Sequence, residues 1–220
     1  MDSKPTREPM LVEPVTLEGR HVRLAPLALE HVDALCVVGL EPALWTWIPT
    51  AVGTPAEMRE YVESALADQA AGRMLPFVTI DRASGQVVGS TRFAAIEREH
   101  RRVEIGWTWI GTRWQRTYIN TEAKLLMLAH AFETWRCNRV ELKTDGLNAK
   151  SRAAIARIGA TQEGIFRKHM ITASGRVRDT VYFSILDTEW PAARARLEAR
   201  FDHPMTTGPE SKFSRTETKV

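Results

Sequence analysis

Cysteine is scarce in this chain. Only Cys36 and Cys137 occur in 220 residues. Two cysteines make no disulfide framework, and these two lack metal-ligand spacing, so no metal is expected and a reduced, cytoplasmic setting suits the composition. Long apolar runs are missing too. Nothing approaches the ~20 residues that cross a bilayer, and the opening MDSKPTREPMLVEP has no apolar core of a signal peptide. A dominant charge is also lacking. The net charge is +3 with a pI near 9.0, a mild excess that favours an anionic ligand but is not the footprint of a dedicated nucleic-acid binder. Finally, RWQRTYINTEAK (113–124) contains no glycine. It stands between a strand-like run, VEIGWTWIG, and a helix-like run, LLMLAHAFETW. A strand, a polar loop and a helix N-terminus form a common phosphate cradle, because the first helical N–H groups face outward. Glycines usually let the backbone approach such a ligand.

With 44% hydrophobic and 26% charged residues, one domain with a full core is expected. Residues 1–14 and the polar tail 203–220 read as flexible, which leaves a domain at 15–202. HVRLAPL (21–27) alternates as a strand. Residues 27–40 read as a helix with Leu29, Val32, Leu35 and Cys36 on one face. Thr54 and Pro55 start a second helix that runs to about Ala71. Residues 74–81 and 87–96 form a hairpin around SGQ, and 101–110 is a further strand. A helix over 120–135 carries Leu125, Leu128, Phe132 and Trp135 on one stripe. A strand at 139–145, a short helix at 148–160 closed by Gly159, a hairpin of 164–171 with 177–186, and a final helix at 188–201 complete the order. Antiparallel strands followed by strand–helix–strand crossovers predict a mixed sheet of α/β (mixed α+β) class, with helices on both faces.

TLEGRHVRLAPL, VEIGWTWI, WQRTYINTEAKLLMLAHAFE and NAKSRAAIARIGATQEGIFRKHM, in this order and spacing, resemble the GNAT acyl-CoA N-acyltransferases. Within them the chain looks most like the Rim-type branch, named for enzymes that acetylate ribosomal-protein N-termini. The resemblance implies a mostly antiparallel sheet of six to seven strands with splayed central parallel strands. It also implies transfer of an acetyl group from acetyl-CoA to a primary amine of a protein N-terminus, an amino acid or a small molecule. A non-catalytic acyl-CoA-binding or regulatory protein of the same fold is the alternative.

The resemblance assigns Gln115 to the start of the pyrophosphate loop, followed by Arg116, Thr117, Tyr118, Ile119, Asn120 and Thr121. Tyr118 and Asn120 take the two positions that usually hold small residues, so Tyr118 is expected to need a positive φ and Asn120 to serve as N-cap. Residues Trp107–Ile110, with Trp109 and Ile110 foremost, would pair through their backbone with the pantetheine arm. Asn148 would contact the pantetheine amides, and Ser151 the CoA arm or the departing sulfur. A tyrosine seven residues after the helix asparagine protonates the thiolate in many relatives; here that position is Ile155. Glu104 is the expected base, sharing one side of its strand with Arg102 and Gly106. Trp45 and Trp47, beside prolines, are the candidate wall of the acceptor pocket. His100, His130 and His169 have no partner in sequence and receive no role. No membrane or dedicated nucleic-acid partner is expected, and the 164–186 hairpin offers a surface for a homodimer.

Overall fold

The computed structural model describes residues 9–201. The expected flexible ends therefore fall largely outside the described residues. Within residues 9–14, Met10 is buried in the core.

Eight strands form one sheet in the order β1-β2-β3-β4-β5-β6-β8-β7. They are β1 (Leu17–Glu18), β2 (Val22–Pro26), β3 (Leu75–Asp81), β4 (Val87–Glu97), β5 (Arg102–Ile110), β6 (Arg139–Asp145), β7 (Thr161–Ile171) and β8 (Val177–Leu186). The strand beyond the expected six or seven is the two-residue β1. All neighbours are antiparallel except β5 and β6. The helices are α1 (Val32–Gly39), α2 (Pro55–Ala70), α3 (Tyr118–Ala129), α4 (Ala149–Arg157) and α5 (Trp190–Glu198). Both predicted hairpins form. Thr54 caps α2 in a reciprocal box with Glu57, which satisfies otherwise orphaned N–H groups. Gly159 closes the α4 turn at φ 101°.

Leu29 departs from its expected face. It lies in a 3-10 turn ahead of α1 and is 46% exposed, because the tighter winding rotates it off the α-helical stripe.

Strand alternation divides the core into two layers. Val103, Ile105, Val140, Leu142, Val181, Phe183 and Ile185 face α3, α4 and α5 in one continuous apolar cluster. On the opposite face, Leu35, Met58, Val62 and Trp109 join α1 and α2 in a second cluster. That second layer rests on β3, β4 and the end of β5. Over β6 and β8 the same face carries Glu141, Lys143, Asp145, Arg178, Thr180 and Tyr182. Half of one face is thus apolar and covered by helices, while the other half is polar.

Helix α3 is anchored at depth. Buried Glu122 accepts hydrogen bonds from the backbone N–H groups of Arg20 (2.7 Å) and His21 (2.8 Å). Gly19 is what lets the turn close on it, since a Cβ there would stand 2.7 Å from the carboxylate. Glu122→Ala should cost about 2–3 kcal/mol, because two N–H donors lose a charged acceptor. Urea unfolding of the two chains checks this.

Candidate active site

The central strands part company early. β5 and β6 pair only from Arg102–Glu104 to Arg139–Glu141. Past that point Trp107 adopts φ 49°, and two residues of β5 oppose one of β4 between the Arg92–Gly106 and Ser90–Trp109 pairs. A bulge of this kind bends its strand and sharpens the twist, here along β4 and away from β6. The result is an opening with β5 on one side and β6 with α4 on the other.

Gly111 donates to Val88 of β4 at 2.8 Å. By strand alternation Trp109 also turns its backbone to β4, whereas Ile110 and Thr108 turn theirs toward the opening. The expected backbone role of Trp109 is therefore corrected. Its indole is buried and donates to the Tyr61 hydroxyl at 3.3 Å, and its carbonyl lies where a Cβ on Gly89 would be 2.2 Å away. At Ile110 the carbonyl accepts from Gln115 Nε2 at 3.0 Å. Lys150 Nζ donates to Gln115 Oε1 at 2.5 Å, so Gln115 links the end of β5 to the start of α4 across the mouth of the opening.

The glycine-free loop solves its geometry differently from expectation. The positive φ falls on Arg116, at 66°, and not on Tyr118. Thr117 is the N-cap of α3, its hydroxyl accepting from the Ile119 N–H at 3.3 Å. Tyr118 is the first helical residue and Asn120 the third, so Asn120 does not cap. Tyr118 reaches the end of β3, where its hydroxyl donates to Asp81 Oδ1 at 2.7 Å, with its ring 4.8 Å from His21. Burial, reinforced by Asp81, pushes its phenol up to about 12. Ile119 is fully buried and its N–H is capped, so its side chain contributes to the core and not to a ligand. Asn120 and Thr121 remain half-buried in the first turns of α3. Arg113, Arg116 and Lys150 are exposed around the mouth. Three cations beside a helix N-terminus favour an anion.

On the other side, Asn148 is the N-cap of α4, its Oδ1 accepting from Ser151 N–H at 2.9 Å. Its Nδ2 makes no hydrogen bond among the described residues. Ser151 is half-buried in the first turn. Ile155 packs in the core.

Glu104 lies at the base of the opening on the polar face. It is 7% exposed and pairs with Lys143 at 2.7 Å. Burial works against the charge of Lys143, but the Glu104 carboxylate more than offsets this and raises the ammonium above its ordinary value. Lys143 also stands 4.7 Å from the Tyr182 ring centroid. Farther along, Asp145 pairs with Arg176 and with Arg178. Trp47 reaches this face: Arg178 Nη1 donates to its carbonyl at 3.4 Å and the Arg176 guanidinium stands 5.6 Å from its ring. Trp45 does not. It is buried, its indole donates to Gly39 O at 2.7 Å, and its ring packs on Tyr61 and Trp109. The LWTWIP loop is thus nailed to the core by one tryptophan and presents the other. His169 also joins the polar face, 3.1 Å from Thr180, whereas His130 packs against Phe93 and Trp135.

A sequence model of the acetyltransferase (GNAT) domain matches residues 21–161, more than half of the chain. The chain belongs to the GNAT acetyltransferase family. It is 26% identical over 179 residues to the uncharacterized N-acetyltransferase p20 of Bacillus licheniformis, which is 80% of this chain and 98% of that protein. A GCN5-related N-acetyltransferase from Brucella melitensis is 34% identical, with a TM-score of 0.81 over 88% of this chain and 89% of that one. RimJ of Mycobacterium smegmatis, solved in complex with CoA-disulfide, is 26% identical with a TM-score of 0.72, covering 82% and 89% of the two chains. That neighbour agrees with the Rim-type character of the sequence motifs.

Several groups at the opening of this acetyltransferase were not singled out in the sequence. Lys143 and Arg178 could have been found, since each falls on the same strand parity as Glu104 would select. Lys124 could not: a lysine in the middle of a helix reads as solvent-facing, yet it is 6% exposed and points between β4 and β5.

The Tyr118 phenol is held above its free value of about 10, so the folded chain binds that proton more tightly than the unfolded one. The stabilisation is complete below pH 10 and is lost as pH rises through about 12. Tyr118→Phe should remove this alkaline component and cost about 1 kcal/mol at neutral pH through the lost bond to Asp81. Urea unfolding between pH 7 and about pH 12 measures both.

Proposed function

We propose that the chain transfers the acetyl group of acetyl-CoA to a primary amine by direct attack in a ternary complex. The observation that carries this reading is the opening between β5 and β6, with the cationic N-terminus of α3 at its mouth and Glu104 at its base. The diphosphate sits at the mouth, against Arg116 and the first turn of α3, with Asn120 and Thr121 at its side, while the Thr117 hydroxyl, which donates to the Trp114 carbonyl, holds the turn. The pantetheine arm runs down the free edge of β5 at Thr108 and Ile110, meeting Asn148 through Nδ2 and Ser151 through its hydroxyl.

An alkyl ammonium, with a pKa near ~10, cannot attack; an α-amine near ~8 loses its proton more readily. Glu104 is the base. Its carboxylate is held by the Lys143 ammonium at 2.7 Å. Capture of the proton therefore accompanies arrival of the acceptor, whose ammonium competes with Lys143 for the carboxylate. Attack yields a tetrahedral oxyanion, which an N–H of the bulged strand β5 stabilises. Trp47 forms the acceptor wall. A protein N-terminus fits the Rim-type motifs and the open polar face; an amino acid or small amine uses the same chemistry. The two free cysteines suit a reduced cytoplasmic setting. The edge strand β7, with Phe166 and Ile171 exposed, offers the surface for a homodimer.

Thiol release from acetyl-CoA over an amine panel, beside calorimetry of acetyl-CoA binding, tests the reading. Binding with thiol release for at least one amine is the expected result. Binding without release for any amine would leave a non-catalytic acyl-CoA-binding protein. Glu104→Gln should lower kcat about 10²-fold or more and remove its ionisation from the pH–rate profile, with acetyl-CoA affinity within about threefold, since the carboxylate lies away from the arm. An unchanged profile would remove Glu104 from the mechanism.

A further inference from the structure

Lys124 is out of place by ordinary rules. It lies on the core side of α3, flanked in sequence by the buried Glu122, Ala123 and Met127. A buried ammonium normally finds a carboxylate. Lys124 instead donates to two hydroxyls, Thr108 Oγ1 at 2.7 Å and Thr91 Oγ1 at 3.5 Å. The two threonine oxygens are themselves 2.7 Å apart, and Thr91 stands 3.6 Å from the Met127 sulfur. No charged side chain faces the ammonium among the described residues. On α3, Glu122 is turned to the Arg20 and His21 amides. On β4 and β5, Arg92 and Glu104 project from the opposite face of the sheet, against Tyr61 and Lys143.

The location matters as much as the burial. Thr108 is half-buried and belongs to the stretch of β5 that has left β6. One end of its hydroxyl touches the buried ammonium, and its strand segment borders the opening. Lysine can only donate, so Thr108 Oγ1 accepts from it. When Thr91 donates as well, both acceptor sites on Thr108 are filled, and its own proton is left to the Gly106 carbonyl at 3.4 Å, a long bond that a nearer acceptor displaces. A positive charge behind a hydroxyl makes that hydroxyl a stronger donor.

We propose that Thr108 is the acid that protonates the departing CoA sulfur, and that Lys124 is the positioning residue that supplies and replaces its proton. This rests on the acetyl-transfer reading above. In the collapse of the tetrahedral intermediate the C–S bond breaks and its electron pair goes to sulfur. Sulfur takes the Thr108 Oγ1 proton, and Thr108 takes a proton from Lys124 Nζ, which is left neutral. Solvent returns that proton between turnovers. The acceptor nitrogen loses its two protons to Glu104 and water, so each cycle gives amide, free thiol and one released proton. The relay fills the role for which α4 holds only the core residue Ile155. Burial alone pushes the Lys124 ammonium down to about 7, so the group can give up and regain a proton near neutrality.

Two variants and two acyl donors test the assignment. Lys124→Met keeps an unbranched chain in the core, and Thr108→Val keeps the β-branched shape. With acetyl-CoA and a working amine at pH 7, each should lower kcat about 10²-fold. Acetyl-CoA affinity should stay within about threefold, because neither group holds the nucleotide. S-Acetyl 4-nitrothiophenol gives up its acetyl group and releases 4-nitrothiophenolate, a stable thiolate that needs no proton. With it, the kcat/KM of both variants should come within about threefold of wild type, since the acid no longer acts in the rate-determining step. With acetyl-CoA the wild-type rate should also fall as pH rises past Lys124's ionisation, and Lys124→Met should lack that fall. An equal loss with both donors, or an unchanged pH profile in Lys124→Met, would overturn the relay while acetyl transfer by wild type stands. A wild-type chain that binds acetyl-CoA and transfers to no amine would overturn the transfer reading and the relay together.

Discussion

Three residues of parallel pairing, Arg102–Glu104 against Arg139–Glu141, hold the middle of the sheet together, and everything functional follows from where that pairing stops. Had β5 continued alongside β6, its outward N–H and C=O groups would be satisfied by the neighbouring strand. The left-handed Trp107 and the extra residue beside it bend β5 along β4 instead. Backbone groups of Thr108 and Ile110 are then left facing a gap. An unpaired strand edge is a template for an extended ligand. The same bend carries the loop at 111–117 and the N-terminus of α3 over the gap, which puts a partial positive charge at its mouth.

The second consequence is the uneven cover of the sheet. Helices α1 and α2 bury the apolar side chains of β3, β4 and the end of β5, with Trp45, Tyr61 and Trp109 as the aromatic centre. They leave β6 and β8 uncovered, and there the alternating side chains are charged. These charges sit deep enough that isolation would be costly, and they are paired: Glu104 with Lys143, and Asp145 with Arg176 and Arg178. Trp47 leans over this face because Trp45, two residues earlier, is locked in the core.

Much of this was legible beforehand. Both hairpins, the Thr54 cap, the Gly159 stop and the order of elements rest on local chemistry, in which a few neighbouring residues decide the backbone path. The place of the opening was legible only through resemblance, since no local signal says that two parallel strands will separate. Misplaced residues share one cause. Tyr118 was expected in a strained loop because its position in a pattern was counted, yet Asp81, 37 residues away in sequence, gives its hydroxyl a partner and draws it into the helix. Trp109 and Trp45 looked like ligand contacts because tryptophan suits both a core and a pocket. Lys124 was invisible because its partners are hydroxyls on two other strands.

The sequence by itself determined the class of fold, the elements and their order, and the strand parity that sets Glu104, Lys143 and Asp145 on one face. These depend on periodicity and capping within short windows, which a linear chain displays openly. Tertiary structure alone decided which residues took which task. It gave the positive φ to Arg116, the cap to Thr117, a place on the polar face to Trp47 and a dry ammonium to Lys124. Each outcome turns on contacts between segments far apart in the chain, where burial, close packing and the pairing of distant charges outweigh local preference.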